Sequence, residues 1–128
     1  MATIVVVDDE TLITDFLAFF LEDAGHVVHI ARNGMEGLEL IVRVIPDLVI
    51  TDYMMPLMTG LELARALKAD KSVTHVPVIL SSAARASARE HPELFIAVLD
   101  KPYPAKKLME IVTSILGDSA AKGSDRLP

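Results

Sequence analysis

Ile4-Val5-Val6-Val7-Asp8-Asp9-Glu10 decides how this chain folds: four β-branched residues run straight into three acids. An unbroken apolar run has no polar face to show water, so it reads as a strand covered on both sides, as in a parallel sheet. Immediately after it, Leu12, Ile13, Phe16, Leu17, Phe20, Leu21 and Ala24 recur at helical spacing. They predict an amphipathic helix over residues 11–24, closed by Gly25 just past its end.

The alternation then repeats. Residues 27–30 form a second short strand, and Asn33 with Glu36 predicts a capped helix reaching about Val44. Pro46-Asp47 is a turn, and Leu48-Val49-Ile50-Thr51 is a third buried strand ending at Asp52. Thr59-Gly60-Leu61-Glu62 is a capping box opening a helix to about Ala69. Residues 76–81 and 95–99 are the fourth and fifth strands, with Pro77 tolerated near a strand start. Pro104 opens a last helix whose apolar face is Leu108, Ile111, Val112, Ile115 and Leu116, with Gly117 as its stop. Between Ser82 and Phe95, Ser87 and Glu90 could cap a helix that Pro92 cuts short, so a short or mobile helix is expected there. Residues 1–117 are therefore one domain, and residues 118–128 a flexible tail or the start of a linker. Strand–helix repeated five times predicts an α/β fold: a doubly wound parallel sheet with helices on both faces.

Composition narrows the function classes. The 128 residues suit a single domain, and the net charge is −6 with no window rich in Lys or Arg. A phosphate-backbone surface needs clustered cations, so direct nucleic-acid binding is not expected. There is no cysteine, which excludes disulfide and thiolate chemistry. No apolar stretch approaches the roughly 20 residues that span a bilayer, and the N-terminus lacks a signal peptide's basic flank. The expectation is a soluble, cytoplasmic protein with no membrane contact. His26, His29, His75 and His91 have no metal-ligand spacing and read as structural or surface residues.

In an open parallel sheet, ligands sit outside the carboxyl ends of the strands. Those ends carry Asp8, Asp9 and Glu10 on strand one, Asp52 on strand three, Ser81 and Ser82 on strand four, and Asp100 and Lys101 on strand five. Crowded carboxylates repel, and a hard divalent cation relieves them. Mg²⁺ is the cation such oxygen donors suit. The expected ligands are Asp9 and Asp52 directly, Asp8 directly or through water, and a backbone carbonyl just after Asp52. A carboxylate held ionised there can attack phosphorus, needing no general base because it has no proton to lose. Lys101 and Ser82 would each take one phosphoryl oxygen. Taken singly, each residue has a plainer reading: Asp52 as a turn residue, Asp8-Asp9 as a helix cap, Ser82 as a loop hydroxyl, Lys101 as a surface charge. Their coincidence on four strand ends favours the chemical one.

Over about residues 3–117 the sequence is similar to the receiver domain of two-component response regulators, of the chemotaxis-regulator type. The matching pieces are Val7-Asp8-Asp9, Pro46-Asp47-Leu48-Val49-Ile50-Thr51-Asp52, Met54-Met55-Pro56-Leu57-Met58-Thr59-Gly60, Val76-Pro77-Val78-Ile79-Leu80-Ser81-Ser82-Ala83 and Asp100-Lys101-Pro102-Tyr103. The resemblance implies a flavodoxin-like five-stranded sheet in the order 2-1-3-4-5. It implies Asp52 as phosphoacceptor, Asp8 and Asp9 with Asp52 and the Met54 carbonyl around Mg²⁺, Ser82 as switch hydroxyl and Lys101 as phosphate-binding lysine. It also implies a cis Lys101–Pro102 bond. The donor would be a phosphohistidine on a sensor histidine kinase or phosphotransfer protein. The reader would be an output domain or downstream protein. Such a domain is no enzyme toward other molecules and catalyses only its own phosphorylation and dephosphorylation.

Three departures stand out. The family's switch aromatic, three residues before the lysine, is Val98 here; the stretch from Ser82 to Lys101 is short; and Thr59 replaces a common acid before Gly60. Met54 and Ala84 occupy the positions that tune hydrolysis, and neither can orient water, so a long-lived phosphoaspartate is expected. The alternative is a pseudo-receiver, an interaction domain working without phosphate, for which Val98 and the unusual fourth-helix region speak. An aspartyl-nucleophile phosphatase would need an acid where Met54 stands, and a flavin carrier would be repelled by Asp8-Asp9-Glu10.

Overall fold

The computed structural model describes residues 1–82 and 91–125, with side chains through Gly117. Five strands, β1 (Thr3–Val7), β2 (Val27–Ala31), β3 (Leu48–Asp52), β4 (Val78–Ser82) and β5 (Ala97–Asp100), form one sheet. Their order is β2-β1-β3-β4-β5, and every pairing is parallel. Among the described residues there are four helices: α1 (Thr11–Asp23), α2 (Gly34–Val44), α3 (Gly60–Ala69) and α4 (Ala105–Asp125). The expected helix between the fourth and fifth strands, and Ala84 with it, falls largely on residues 83–90, outside the described residues.

The strands alternate their side chains between two cores, as the period of two requires. Val5, Val7, Val49 and Leu80 meet Leu63, Ala64 and Leu67 of α3 on one face. Ile4, Val6, Ile50, Ile79 and Leu99 meet Leu17, Leu21, Leu108 and Val112 of α1 and α4 on the other. Because β1, β3 and β4 are covered on both faces, unbroken apolar runs are what the sheet demands.

Local signals acted as expected in two helices. Asn33 accepts a hydrogen bond from the Glu36 backbone, and Thr59 and Glu62 form the reciprocal box at α3. Asp47 accepts from the Thr3 backbone at 2.8 Å, tying the turn before β3 to the start of β1. The fourth and fifth strands begin two residues later than the sequence suggests, at Val78 and Ala97. Pro77 therefore stands outside the ladder, its carbonyl accepting from Val49. Gly117 does not stop the last helix, which continues to Asp125. A glycine lowers helix stability without ending a helix unless the backbone turns left-handed, and among the glycines of the described residues only Gly25 has positive φ, 94°.

The loop after Asp52 is built tightly. Gly60 donates to the Tyr53 carbonyl at 2.8 Å. A Cβ at Gly60 would lie 2.2 Å from the Asp52 carbonyl oxygen. Gly60→Ala is thus expected to destabilise the fold by about 3 kcal/mol, since backbone must shift on both sides. Equilibrium denaturation measures it, and a loss well under 1 kcal/mol would mean the loop yields freely. Leu57 in the same loop has φ 72° and is 76% exposed. It is the middle residue of a three-residue turn closed by Met58 donating to Pro56. A left-handed leucine is strained and its side chain here gains little by packing. Leu57→Asn, which tolerates this conformation, is expected to stabilise by about 1 kcal/mol; an unchanged melting temperature would count against the strain.

Candidate functional site

Three strand tips meet at the carboxyl edge of the sheet. Asp8 follows β1, Asp52 ends β3, and Lys101 follows β5. The parallel register sets Asp52 beside Ser81 and Ser82 beside Asp100. The Lys101 backbone donates to the Ser82 carbonyl at 3.1 Å, which draws the lysine back over the tip of β4. Its ammonium lies 3.1 Å from Asp8 Oδ2, 3.3 Å from Asp52 Oδ1 and 3.5 Å from Glu10 Oε1. Asp8 and Asp52 are buried, at 1% and 7% exposure.

Burial raises the Asp8 carboxyl above its ordinary range, opposed by the Glu10 backbone bond and by Lys101. Burial and the Asp8 charge raise Asp52, against the pull of Lys101 and the Tyr53 backbone bond. Burial alone would lower Lys101; Asp8 and Asp52 outweigh it and carry the ammonium upward. The site is therefore short of positive charge. One lysine serves three carboxylates, and Asp8 and Asp52 lean toward protonation.

The donor set fits a hard divalent cation. Asp8, Glu10 and Asp52 offer one carboxylate oxygen each, all within 4.8 Å of one another. Only oxygen is offered, as Mg²⁺ prefers, and a second cation would remove the charge shortage. Asp9, expected from sequence as a direct ligand, is exposed and outside this group. Asp8 Oδ1 accepts from the Glu10 backbone at 2.9 Å, a turn that folds Glu10 back beside Asp8 and leaves Asp9 at its apex. The Met54 side chain is exposed. Ser82 is buried at the end of β4. The Lys101–Pro102 bond is cis, as the resemblance implied.

Tyr103 is read in the sequence only as part of Asp100-Lys101-Pro102-Tyr103, with no role assigned to it. Its hydroxyl shares a 3.0 Å hydrogen bond with Ser81 Oγ, and its ring meets Phe16 of α1 edge-on, with centroids 6.2 Å apart. A phenylalanine or tyrosine two residues past a site lysine carries no signal of its own.

A doubly wound α/β domain with one buried aspartate after β1, another ending β3 and a lysine after β5 defines a class of signalling receiver. Residues 4–113 match the family model of the response regulator receiver domain, and the chain belongs to that family. It is 34% identical to the phosphate regulon transcriptional regulatory protein PhoB of Pseudomonas aeruginosa, over 93% of this chain and 56% of that protein. It is 32% identical to the polar-differentiation response regulator DivK of Brucella anthropi, over 91% of this chain and 98% of that one. Among solved structures, the chemotaxis response regulator CheY4 of Vibrio cholerae superposes with a TM-score of 0.85 at 27% identity, covering 91% and 99% of the two chains. The chain thus spans about half the length of PhoB and nearly all of DivK. No helix among the described residues is long and apolar enough to cross a membrane.

Proposed function

We propose that this receiver domain accepts a phosphoryl group on Asp52 from a phosphohistidine donor, in a Mg²⁺-dependent transfer, and thereby switches a protein-interaction surface. The observation that carries the reading is the Lys101 ammonium lying between Asp8 and Asp52 at 3.1 and 3.3 Å. A half-buried lysine placed so can follow the nucleophile or the oxygens it acquires. Asp52 supplies the attacking oxygen; its Oδ1 accepts from the Tyr53 backbone at 2.8 Å and from Lys101, which leaves Oδ2 for attack. Bound Mg²⁺ would supply charge neutralisation of the transferring oxygens. Asp8, Asp52 and the Met54 carbonyl would hold it, with Glu10 or Asp9 as the remaining acid. Lys101 would stabilise one phosphoryl oxygen and the Ser82 hydroxyl another. The donor would be a sensor histidine kinase or phosphotransfer protein, the setting cytoplasmic, and the reader an output domain or separate protein. The domain would act on no other substrate.

The test is incubation with Mg²⁺ and a small acyl phosphate, with the modified residue located by peptide mass analysis after borohydride trapping. Label on Asp52, lost in Asp52→Asn, is the expected result. Label elsewhere, or none from either an acyl phosphate or a phosphohistidine protein, would remove the proposal and favour a phosphate-independent interaction domain. With Met54 exposed beside the acceptor, the phosphoaspartate should persist well beyond seconds.

A further inference from the structure

Strand β5, Ala97-Val98-Leu99-Asp100, carries no aromatic ring, and Val98 packs as an aliphatic against the α2–α3 core. The rings are concentrated elsewhere. The chain has four phenylalanines and two tyrosines. Phe16, Phe19, Phe20 and Tyr103 make one run: Tyr103 meets Phe16 at 6.2 Å, Phe16 meets Phe20 at 5.1 Å, and Phe20 meets Phe19 at 5.1 Å, all edge-on. Its inner end is the hydroxyl bond to Ser81, the register partner of Asp52. Its outer end is Phe19, 64% exposed on α1.

We propose that Tyr103 is the positioning residue through which the state of Asp52 reaches the outer face of α1, by its hydroxyl bond to Ser81 and its edge contact with Phe16. The inference rests on Asp52 being the phosphoacceptor. Tyr103 is joined to Lys101 through Pro102 alone, whose fixed φ limits independent motion of the two. Lys101 is held by three carboxylates. New anionic oxygens on Asp52 change that balance and redirect the ammonium. The segment carrying Tyr103 must follow, while Ser81 is anchored in β4 at 1% exposure. A hydroxyl–hydroxyl bond weakens steeply with distance and angle, so a small displacement breaks or reforms it. The ring cannot move without Phe16, and close-packed side chains exchange between discrete arrangements rather than deform smoothly. Burial raises the Tyr103 phenol above its ordinary range, so it remains protonated and able to donate.

The experiment is amide and aromatic NMR of the full chain with Mg²⁺, before and after beryllium fluoride, for the wild type, Tyr103→Phe and Ser81→Ala, with thermal unfolding alongside. The wild type should shift at Asp52 and Lys101 and also at Phe16, Phe19 and Phe20. Both variants should keep the shifts at Asp52 and Lys101 and lose those on α1, with unfolding little changed, a separation that a merely structural tyrosine would not produce. Wild-type α1 shifts that are absent, or that survive in either variant, overturn the inference while leaving the Asp52 reading intact. A wild type that does not respond at Asp52 itself removes both.

Discussion

Replacing Lys101 with methionine should cost the fold about 3 kcal/mol and remove most phosphoryl uptake, because it strands two buried carboxylates. The ammonium lies within 3.5 Å of Asp8, Asp52 and Glu10, and the Lys101 side chain is only 15% exposed. Methionine fills a similar volume, so the loss reports charge rather than packing. Asp8 and Asp52, already raised by burial, would rise further. The sign for the lysine follows from its raised pKa. Its contribution is fully present below the ordinary value of 10.5 and is lost as pH climbs through the higher folded value. Near pH 7 the wild type therefore keeps the whole contribution. Urea denaturation at pH 7 with and without Mg²⁺ measures the cost, and added Mg²⁺ should restore part of it. Equal stability and equal uptake in the variant would show that the three close contacts carry no weight.

Asp52→Asn should do the opposite to the fold while abolishing function. Without added divalent cation at pH 7, it should stabilise on the order of 1 kcal/mol, as relief of a buried like charge does. Asparagine keeps an oxygen for the Tyr53 backbone bond at the position where Asp52 Oδ1 now accepts it. For a carboxyl with a raised folded pKa, the native state holds the proton longer than the unfolded chain. Wild-type stability from this group is thus highest below the ordinary value of 3.8 and falls as pH rises through the folded value. The advantage of Asp52→Asn should accordingly vanish in acid and be full at neutral pH. Mg²⁺ should raise the melting temperature of the wild type more than that of the variant, by mass action on the folded state. In the double variant the cost of Lys101→Met should shrink, since one of its two buried partners has lost its charge. A destabilised Asp52→Asn at neutral pH would show that Lys101 fully compensates the site.

The difference between these variants follows from what was legible in the chain. Ile4 to Val7, Leu48 to Thr51 and the Thr59–Glu62 cap announced their elements because periodicity and capping act within a few residues. Asp8, Asp52, Ser82 and Lys101 could be placed on one rim because parallel strands carry their carboxyl ends to the same edge. A Gly117 stop was a weaker inference, since a glycine only tilts the helix balance and α4 runs through it.

By itself, then, the sequence determined the parallel α/β architecture and the chemical types assembled at its edge, because both depend on residue order and local period. Only the tertiary structure decided which groups touch: Glu10 rather than Asp9 beside Asp8 and Asp52, one ammonium among three carboxylates, and Tyr103 bonded to Ser81 across 22 residues of chain. Those choices turn on the direction in which each side chain leaves its strand or turn, which is set by packing and by charges distant in the chain.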